Sequence, residues 1–123
     1  MTDETRPHKN DDLWWALRYN DPKKFTTDEI VDIIAEVPGE NDEFLWWWIL
    51  ELKNGKFALF GASCDYTGWD CQSGIDFEDV YNSAIEAANA APIIEEYSNR
   101  SIRKNLVGQL EGQYPKFTYW GDA

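Results

Sequence analysis

The run Phe44-Leu45-Trp46-Trp47-Trp48-Ile49-Leu50-Glu51-Leu52 constrains this chain's fold more than any other segment. Aromatic and branched side chains favour a strand over Glu43 to Leu52. Successive strand side chains point to opposite faces. Phe44, Trp46, Trp48, Leu50 and Leu52 therefore share one side, and Leu45, Trp47 and Ile49 the other. Both sides are apolar, so the strand needs cover on two sides, or cover on one and a partner on the other. Asn54-Gly55 follows, and Lys56 to Cys64 is strand-like again. Asn-Gly between two hydrophobic runs predicts a hairpin with a type I′ turn, which needs positive φ at both central positions.

Around this hairpin the spacing of apolar residues predicts helices. Asp11 or Asp12 caps a short helix over Leu13 to Tyr19, with Trp14, Leu17 and Trp15 inward, and Asp21-Pro22 ends it. Thr26 and Glu29 have capping-box spacing. A helix over Thr27 to Val37 follows, its apolar side carrying Ile30, Val31, Ile33, Ile34 and Val37, with Pro38-Gly39 as the stop. Helical character resumes at Phe77 and runs to Ala91, with Asp76 as N-cap. Val80, Tyr81, Ala84, Ile85 and Ala88 form its stripe, and Ile93 to Tyr97 extend it past Pro92. Asn99 or Ser101 opens a last helix to about Leu110, with Ile102, Leu106 and Leu110 at i, i+4, i+8 and Gly112 at the C′ position. Phe117 to Trp120 is placed as an edge strand or as cover for the core. The fold class is α+β: a hairpin-based antiparallel sheet packed with helices. Residues 1–11 read as a disordered tail and 12–123 as one domain, in keeping with a length of 123 residues.

Charge narrows the function. The net charge is −12. From Phe25 to Asn99 the only basic residues are Lys53 and Lys56, against 16 acids. That disfavours direct contact with nucleic acid or an anionic membrane and favours a basic partner. Within the predicted helices, Asp28, Asp32 and Glu36 fall at i, i+4, i+8, and Glu78, Asn82 and Glu86 repeat the spacing. Glu40, Asp42 and Glu43 continue the first ridge. No Lys or Arg at i+4 relieves either ridge, although like charges so placed are destabilising. Carboxylates about 6 Å apart approximate the phosphate spacing of a nucleic-acid strand. Soluble acidic surfaces are common, and Asp28 and Glu29 also suit a helix N-terminus.

Most enzyme classes are disfavoured. His8 is the only histidine and lies in the predicted tail, which argues against Ser-His-Asp and Cys-His catalysis. C-x6-C without a nearby histidine is a poor zinc pattern, and the chain has no Walker A, G-x-G-x-x-G or calcium-loop motif. No cofactor or metal is expected. The first twelve residues lack the apolar segment of a signal peptide, and Phe44 to Leu50 is far shorter than the ~20 residues of a membrane span. A cytoplasmic setting is expected, with both cysteines as buried thiols.

The densest chemistry is the loop Cys64-Asp65-Tyr66-Thr67-Gly68-Trp69-Asp70-Cys71-Gln72, which holds both cysteines. Asp65 and Asp70 can serve as an acid/base or metal-binding pair, or bond the loop's own backbone and fix a corner. Trp47 is either core, with Trp46 and Trp48, or an exposed interface anchor with Trp15 or Trp69. An aromatic sugar platform is a third reading.

Gly55 to Phe60 followed by this nine-residue segment resembles a small uncharacterised family of bacterial and bacteriophage proteins, over about Trp46 to Gly74. The resemblance implies a prokaryotic or viral setting, a bacterial host cytoplasm, and a hallmark loop; it implies no catalytic residue. The expectation is a non-enzymatic inhibitor that occupies a basic, nucleic-acid-binding site on a partner protein. Phage anti-defence (anti-CRISPR-like) and toxin-immunity proteins work in this way. Asp28, Asp32, Glu36, Glu40, Asp42, Glu78 and Glu86 would carry the electrostatics and Trp47 the anchor. Two alternatives stay open: a small ligand- or metal-binding domain centred on Cys64 to Gln72, and a structural protein that homodimerises through the apolar hairpin.

Overall fold

The hairpin forms where its residues place it. The computed structural model describes residues 11–95 and 100–114. It contains α1 (Asp11–Tyr19), a 3-10 turn (Thr27–Glu29), β1 (Ile30–Val37), β2 (Trp46–Leu52), β3 (Phe57–Cys64), β4 (Ser73–Tyr81), α2 (Ala84–Asn89) and α3 (Ile102–Leu110). The strands make one antiparallel sheet in the order β1-β2-β3-β4. The architecture is α+β. His8 and the Phe117 to Trp120 segment lie outside the described residues, as do residues 1–10 of the predicted tail; its last residue, Asp11, opens α1.

Both faces of β2 are covered, as its composition demands. Trp46, Trp48, Leu50 and Leu52 pack with Leu13, Ala16 and Leu17 of α1 and with Phe25. Trp47 and Ile49 pack with Ala87, Ala88 and Ala91 around α2 and with Ile102 and Leu106 of α3. The sheet is thus the middle of three layers. Full burial of aliphatic side chains such as Leu13, Ile49, Leu59 and Leu106 stabilises by roughly 1.5–3 kcal/mol each.

The β2–β3 connection differs from a type I′ turn. Gly55 alone takes positive φ, 84°. Its N–H bonds Leu52 C=O at 3.0 Å, and Leu52 N–H bonds Lys56 C=O at 2.9 Å. The loop is Lys53-Asn54-Gly55 with the glycine in the left-handed region, the three-residue hairpin alternative.

Two predicted helices are strands. Thr27 to Val37 gives only a 3-10 turn and then β1. The capping box is present, with Glu29 Oε1 accepting the Thr26 N–H at 2.8 Å, but it caps three residues. Ile30, Val31, Ile33, Ile34 and Val37 are stiff, β-branched side chains that favour a pleated surface. Register shifts fall at Val31 and at Ile34. Each is a bulge that inserts a residue and changes which face the next side chain meets. Two bulges turn a period of two into an apolar spacing that imitates a helix.

The helix predicted over Phe77 to Ala91 is likewise β4 followed by a short α2. Its N-cap is Ser83, whose hydroxyl accepts the Glu86 N–H at 3.2 Å, and not Asp76. Ile75, Phe77, Val80 and Tyr81 pair across β3 instead, and tertiary pairing overrides the local stripe. Ile93, Ile94 and Glu95 are not helical; Tyr97 lies outside the described residues. By contrast α1 and α3 are helices, as expected, but α1 begins at Asp11 and buries Leu13, Ala16 and Leu17, while Trp14 and Trp15 are only half-buried. In α3, Ile102 and Leu106 are fully buried. Gly112 N–H bonds Gln109 C=O and Gln113 N–H bonds Gly108 C=O, a Schellman ending.

Candidate functional site

Antiparallel order brings two loops to one end of the sheet. The β1–β2 connection (38–45) leaves where β1 ends and β2 begins. The β3–β4 connection (65–72) leaves where β3 ends and β4 begins, on the same side. Asp42 N–H bonds Cys64 C=O at 2.8 Å and ties the two together. Asp42 holds a positive φ of 63° to do so, a conformation that Asp tolerates better than most residues. Between the loops lies an open cleft of about 410 Å³, lined among others by Asp42, Glu43, Phe44, Cys64, Asp65 and Gln72.

The Cys64 to Gln72 loop is a braced corner. Asp65 N–H bonds Gln72 C=O at 3.0 Å, closing the loop at its base. The Asp65 carboxylate accepts the Thr67 N–H at 2.9 Å and the Thr67 hydroxyl. These bonds hold its pKa below the usual carboxylate range, the Thr67 hydroxyl contributing most. Gly68, at φ 104°, lets the chain reverse so that its C=O receives both Cys71 and Gln72 N–H groups. Trp69 is buried: its ring packs on Trp46 with centroids 5.0 Å apart, and its indole N–H donates to Asp12 at 3.0 Å. Asn20 bonds the Ser73 hydroxyl at 2.9 Å, which in turn bonds Trp69 C=O at 2.8 Å. The loop therefore clamps α1 to the end of the sheet.

The thiols are unlike one another. Cys64 is buried and Cys71 exposed, and both are free; the expectation of two buried thiols holds for Cys64 alone. Burial, with the charges of Asp12 and Asp65, pushes the Cys64 thiol up to about 11. A thiol protonated at neutral pH is a weak nucleophile. Among the described residues no group of three or more His, Cys, Asp or Glu is placed to hold a metal. No helix there is long and apolar enough to cross a membrane.

The predicted acidic ridges are not formed, because the first helix is a 3-10 turn and a strand and the second is divided between β4, which holds Glu78, and α2, which holds Glu86. Strand geometry spreads Asp28, Asp32 and Glu36 apart, and each has its own setting. Asp28 is exposed in the 3-10 turn. Asp32 accepts the Ile33 N–H at 2.8 Å on the edge strand β1. Glu36 is 4% exposed and accepts the Trp48 indole N–H at 2.6 Å. Glu78 accepts the Lys23 N–H at 2.7 Å, and Glu86 accepts the Asn82 N–H at 3.1 Å at the start of α2. Trp47 is 4% exposed, and its indole N–H donates to Glu95 at 3.1 Å. Glu36 and Trp47 are thus interior groups, removed from any partner by packing.

What the fold does bring together is Glu40, Asp42, Glu43, Asp65 and Asp70, on the two loops at one end. Tyr66 and Gln72 are exposed there as well. The hydrogen bond that the Glu43 carboxyl donates to Glu40, then the charges of Glu40 and Asp42, raise the Glu43 pKa.

Two polar anchors lie outside the sequence expectations. The Arg100 guanidinium grips the buried Glu95 carboxylate, Nε to Oε1 at 2.9 Å and Nη2 to Oε2 at 3.0 Å. It also bonds Pro38 C=O at 2.6 Å and Leu45 C=O at 2.9 Å and lies 4.8 Å from the Phe44 ring centroid. Gln109 of α3 bonds both the N–H and the C=O of Glu36, at 3.0 and 2.7 Å. Its amide takes the place of a neighbouring strand along the outer edge of β1. A polar residue three after Leu106, on the buried side of a helix, was the available signal for Gln109. No family model matches the chain, and comparison with curated proteins and with solved structures finds no match either.

Proposed function

We propose that this protein is a non-enzymatic, acidic binding protein that inhibits a partner by occupying its basic, nucleic-acid-binding surface. Phage anti-defence and toxin-immunity proteins act in this way. The supporting observation is the gathering of Glu40, Asp42, Glu43, Asp65 and Asp70 on two loops at one end of the sheet; Asp42, Glu43 and Asp65 line a cleft that has no Lys or Arg among its described lining residues. The hydrogen bond to Glu40 and the charges of Glu40 and Asp42 raise the Glu43 pKa, so these neighbouring carboxylates carry mutual repulsion. A basic partner relieves it. The acids of the strands serve largely internal roles: Asp32 and Asp79 accept the next residue's N–H on the two edge strands. On this reading the contact surface is the loop end, Glu40 and Asp42 included.

The test is capture from a bacterial lysate at low and high salt, with Glu40→Lys/Glu43→Lys as control. Expected is a basic nucleic-acid-binding protein held by the native chain at low salt, released at high salt and lost with the double variant. Equal capture by both forms, or capture indifferent to salt, refutes the proposal.

The cleft favours a second reading, a small ligand bound beside Cys64, Asp65 and Gln72. On that reading Asp65→Ala abolishes ligand binding while the protein stays folded; a matching loss of stability marks the residue as a brace. Homodimerisation through the hairpin has less in its favour, since the chain packs against both of its faces.

A further inference from the structure

On the other side of the Cys64 to Gln72 loop, Trp15, Trp69 and Asp70 line a small pocket of about 230 Å³. We propose that this pocket anchors an organic cation: the guanidinium or alkylammonium head of an arginine or lysine side chain on the partner. The inference rests on the partner being basic, and adds where its anchoring side chain goes.

The pocket is held open by fixed rings. Trp69 is locked by Trp46 behind it and by its bond to Asp12. Trp15 stacks on Tyr19, one turn along α1, with centroids 5.7 Å apart and planes within 10°. Both indoles are therefore positioned before any ligand arrives, and little ordering is lost on binding. Indole faces carry negative charge density and attract cations. The same helix already uses this: the Arg18 guanidinium lies 5.3 Å from the Trp14 centroid and 5.9 Å from that of Tyr19.

Asp70 supplies the charge. It is exposed, and among the described residues its carboxylate makes no hydrogen bond or ion pair. Asp65, five residues earlier, is by contrast fully engaged with Thr67. The loop thus uses one Asp as a brace and leaves the other at the rim of an aromatic pocket. The volume lies below the ~300–1,000 Å³ of sites for drug-sized ligands, and suits one side-chain head. A neutral sugar would gain stacking but nothing from Asp70, and an anion would be repelled by it.

The test follows the indole N–H resonances of the ¹⁵N-labelled full chain. N-acetylarginine amide and N-acetyllysine amide are titrated beside N-acetylcitrulline amide, the neutral isostere of the first. The Trp15 and Trp69 signals are expected to move saturably with the cations and not with citrulline. Asp70→Asn, at an exposed site, is expected to keep the fold and weaken cation binding about three- to ten-fold. Equal response to citrulline, absence of a saturable response, or unchanged affinity in Asp70→Asn overturns the proposal. Tetramethylammonium bound more tightly than either amide would overturn the assignment to a protein side chain in favour of a free quaternary amine. These outcomes are separate from lysate capture. A pocket indifferent to cations alongside capture that Glu40→Lys/Glu43→Lys abolishes would refute the pocket alone.

Discussion

Replacing Gln109 by Met tests what holds the C-terminal layer to the sheet. The two side chains are similar in length and volume, so packing against β1 is nearly kept while the polar clasp is removed. Gln109 is 8% exposed and Glu36 4%. Three bonds disappear: Glu36 N–H to Oε1 at 3.0 Å, Nε2 to Glu36 C=O at 2.7 Å, and Nε2 to Asn105 at 2.7 Å. The first two matter most, because they leave a buried backbone donor and acceptor unpaired at about 1–3 kcal/mol each. Some of this returns as thioether burial, leaving an expected loss of about 2–4 kcal/mol. Urea unfolding followed by tryptophan fluorescence reads it directly. With m near ~2 kcal/mol/M the midpoint falls by about 1–2 M. Asn105→Ala removes only the third bond and is expected to cost about 0.5–1.5 kcal/mol. Amide exchange adds a local readout: the Glu36 N–H loses protection in Gln109→Met beyond what the global change explains. A Gln109→Met midpoint within error of the native chain, with Glu36 still protected, would refute the clasp.

Three further predictions concern the buried ion pair and the two thiols. Arg100→Ala leaves buried Glu95 without its guanidinium and frees the Pro38 and Leu45 carbonyls; a loss of about 3–5 kcal/mol is expected in the same urea assay, and Arg100→Lys, lacking the planar fork, should recover only part of it. The thiols should separate kinetically: at pH 8 a thiol reagent labels exposed Cys71 quickly and buried Cys64 only on unfolding, and Cys71→Ser removes the fast phase. Because the Cys64 pKa rises from 9.0 to about 11 on folding, its contribution to stability is present below about pH 9 and is lost as the pH climbs towards 11. A Cys64→Ala variant with the same alkaline stability profile as the native chain would contradict this.

The sequence by itself determined the centre of the fold and its need for cover. A strand apolar on both faces needs cover on both sides, and that could be read from Phe44 to Leu52; that the chain itself, and not a partner, supplies both covers was decided by the tertiary structure. Local chemistry also determined α1, α3 with its Ser101 cap, and the start of the 3-10 turn at Thr26. Each depends on residues within one or two turns of chain. The tertiary structure decided the rest. Ile30 to Val37 carried a helix-like spacing because two bulges break its alternation, and bulges arise only from pairing with β2. Phe77 to Tyr81 looked helical beside the alanines of α2, and became a strand because β3 offered an edge. Once those segments were strands, the acidic ridges could not exist. Glu36 turned inward to Trp48, Trp47 closed on Glu95, and the charge gathered on loops 38–45 and 65–72. Sheet order alone brings those loops together, and no spacing along the chain encodes that meeting. The Cys64 to Gln72 loop stands between the two cases. Its internal turn, from Asp65 to Thr67 and Gly68, was legible in the residues. Its docking through Trp69 onto Trp46 and Asp12 was not, because those partners lie 23 and 57 residues away in the chain.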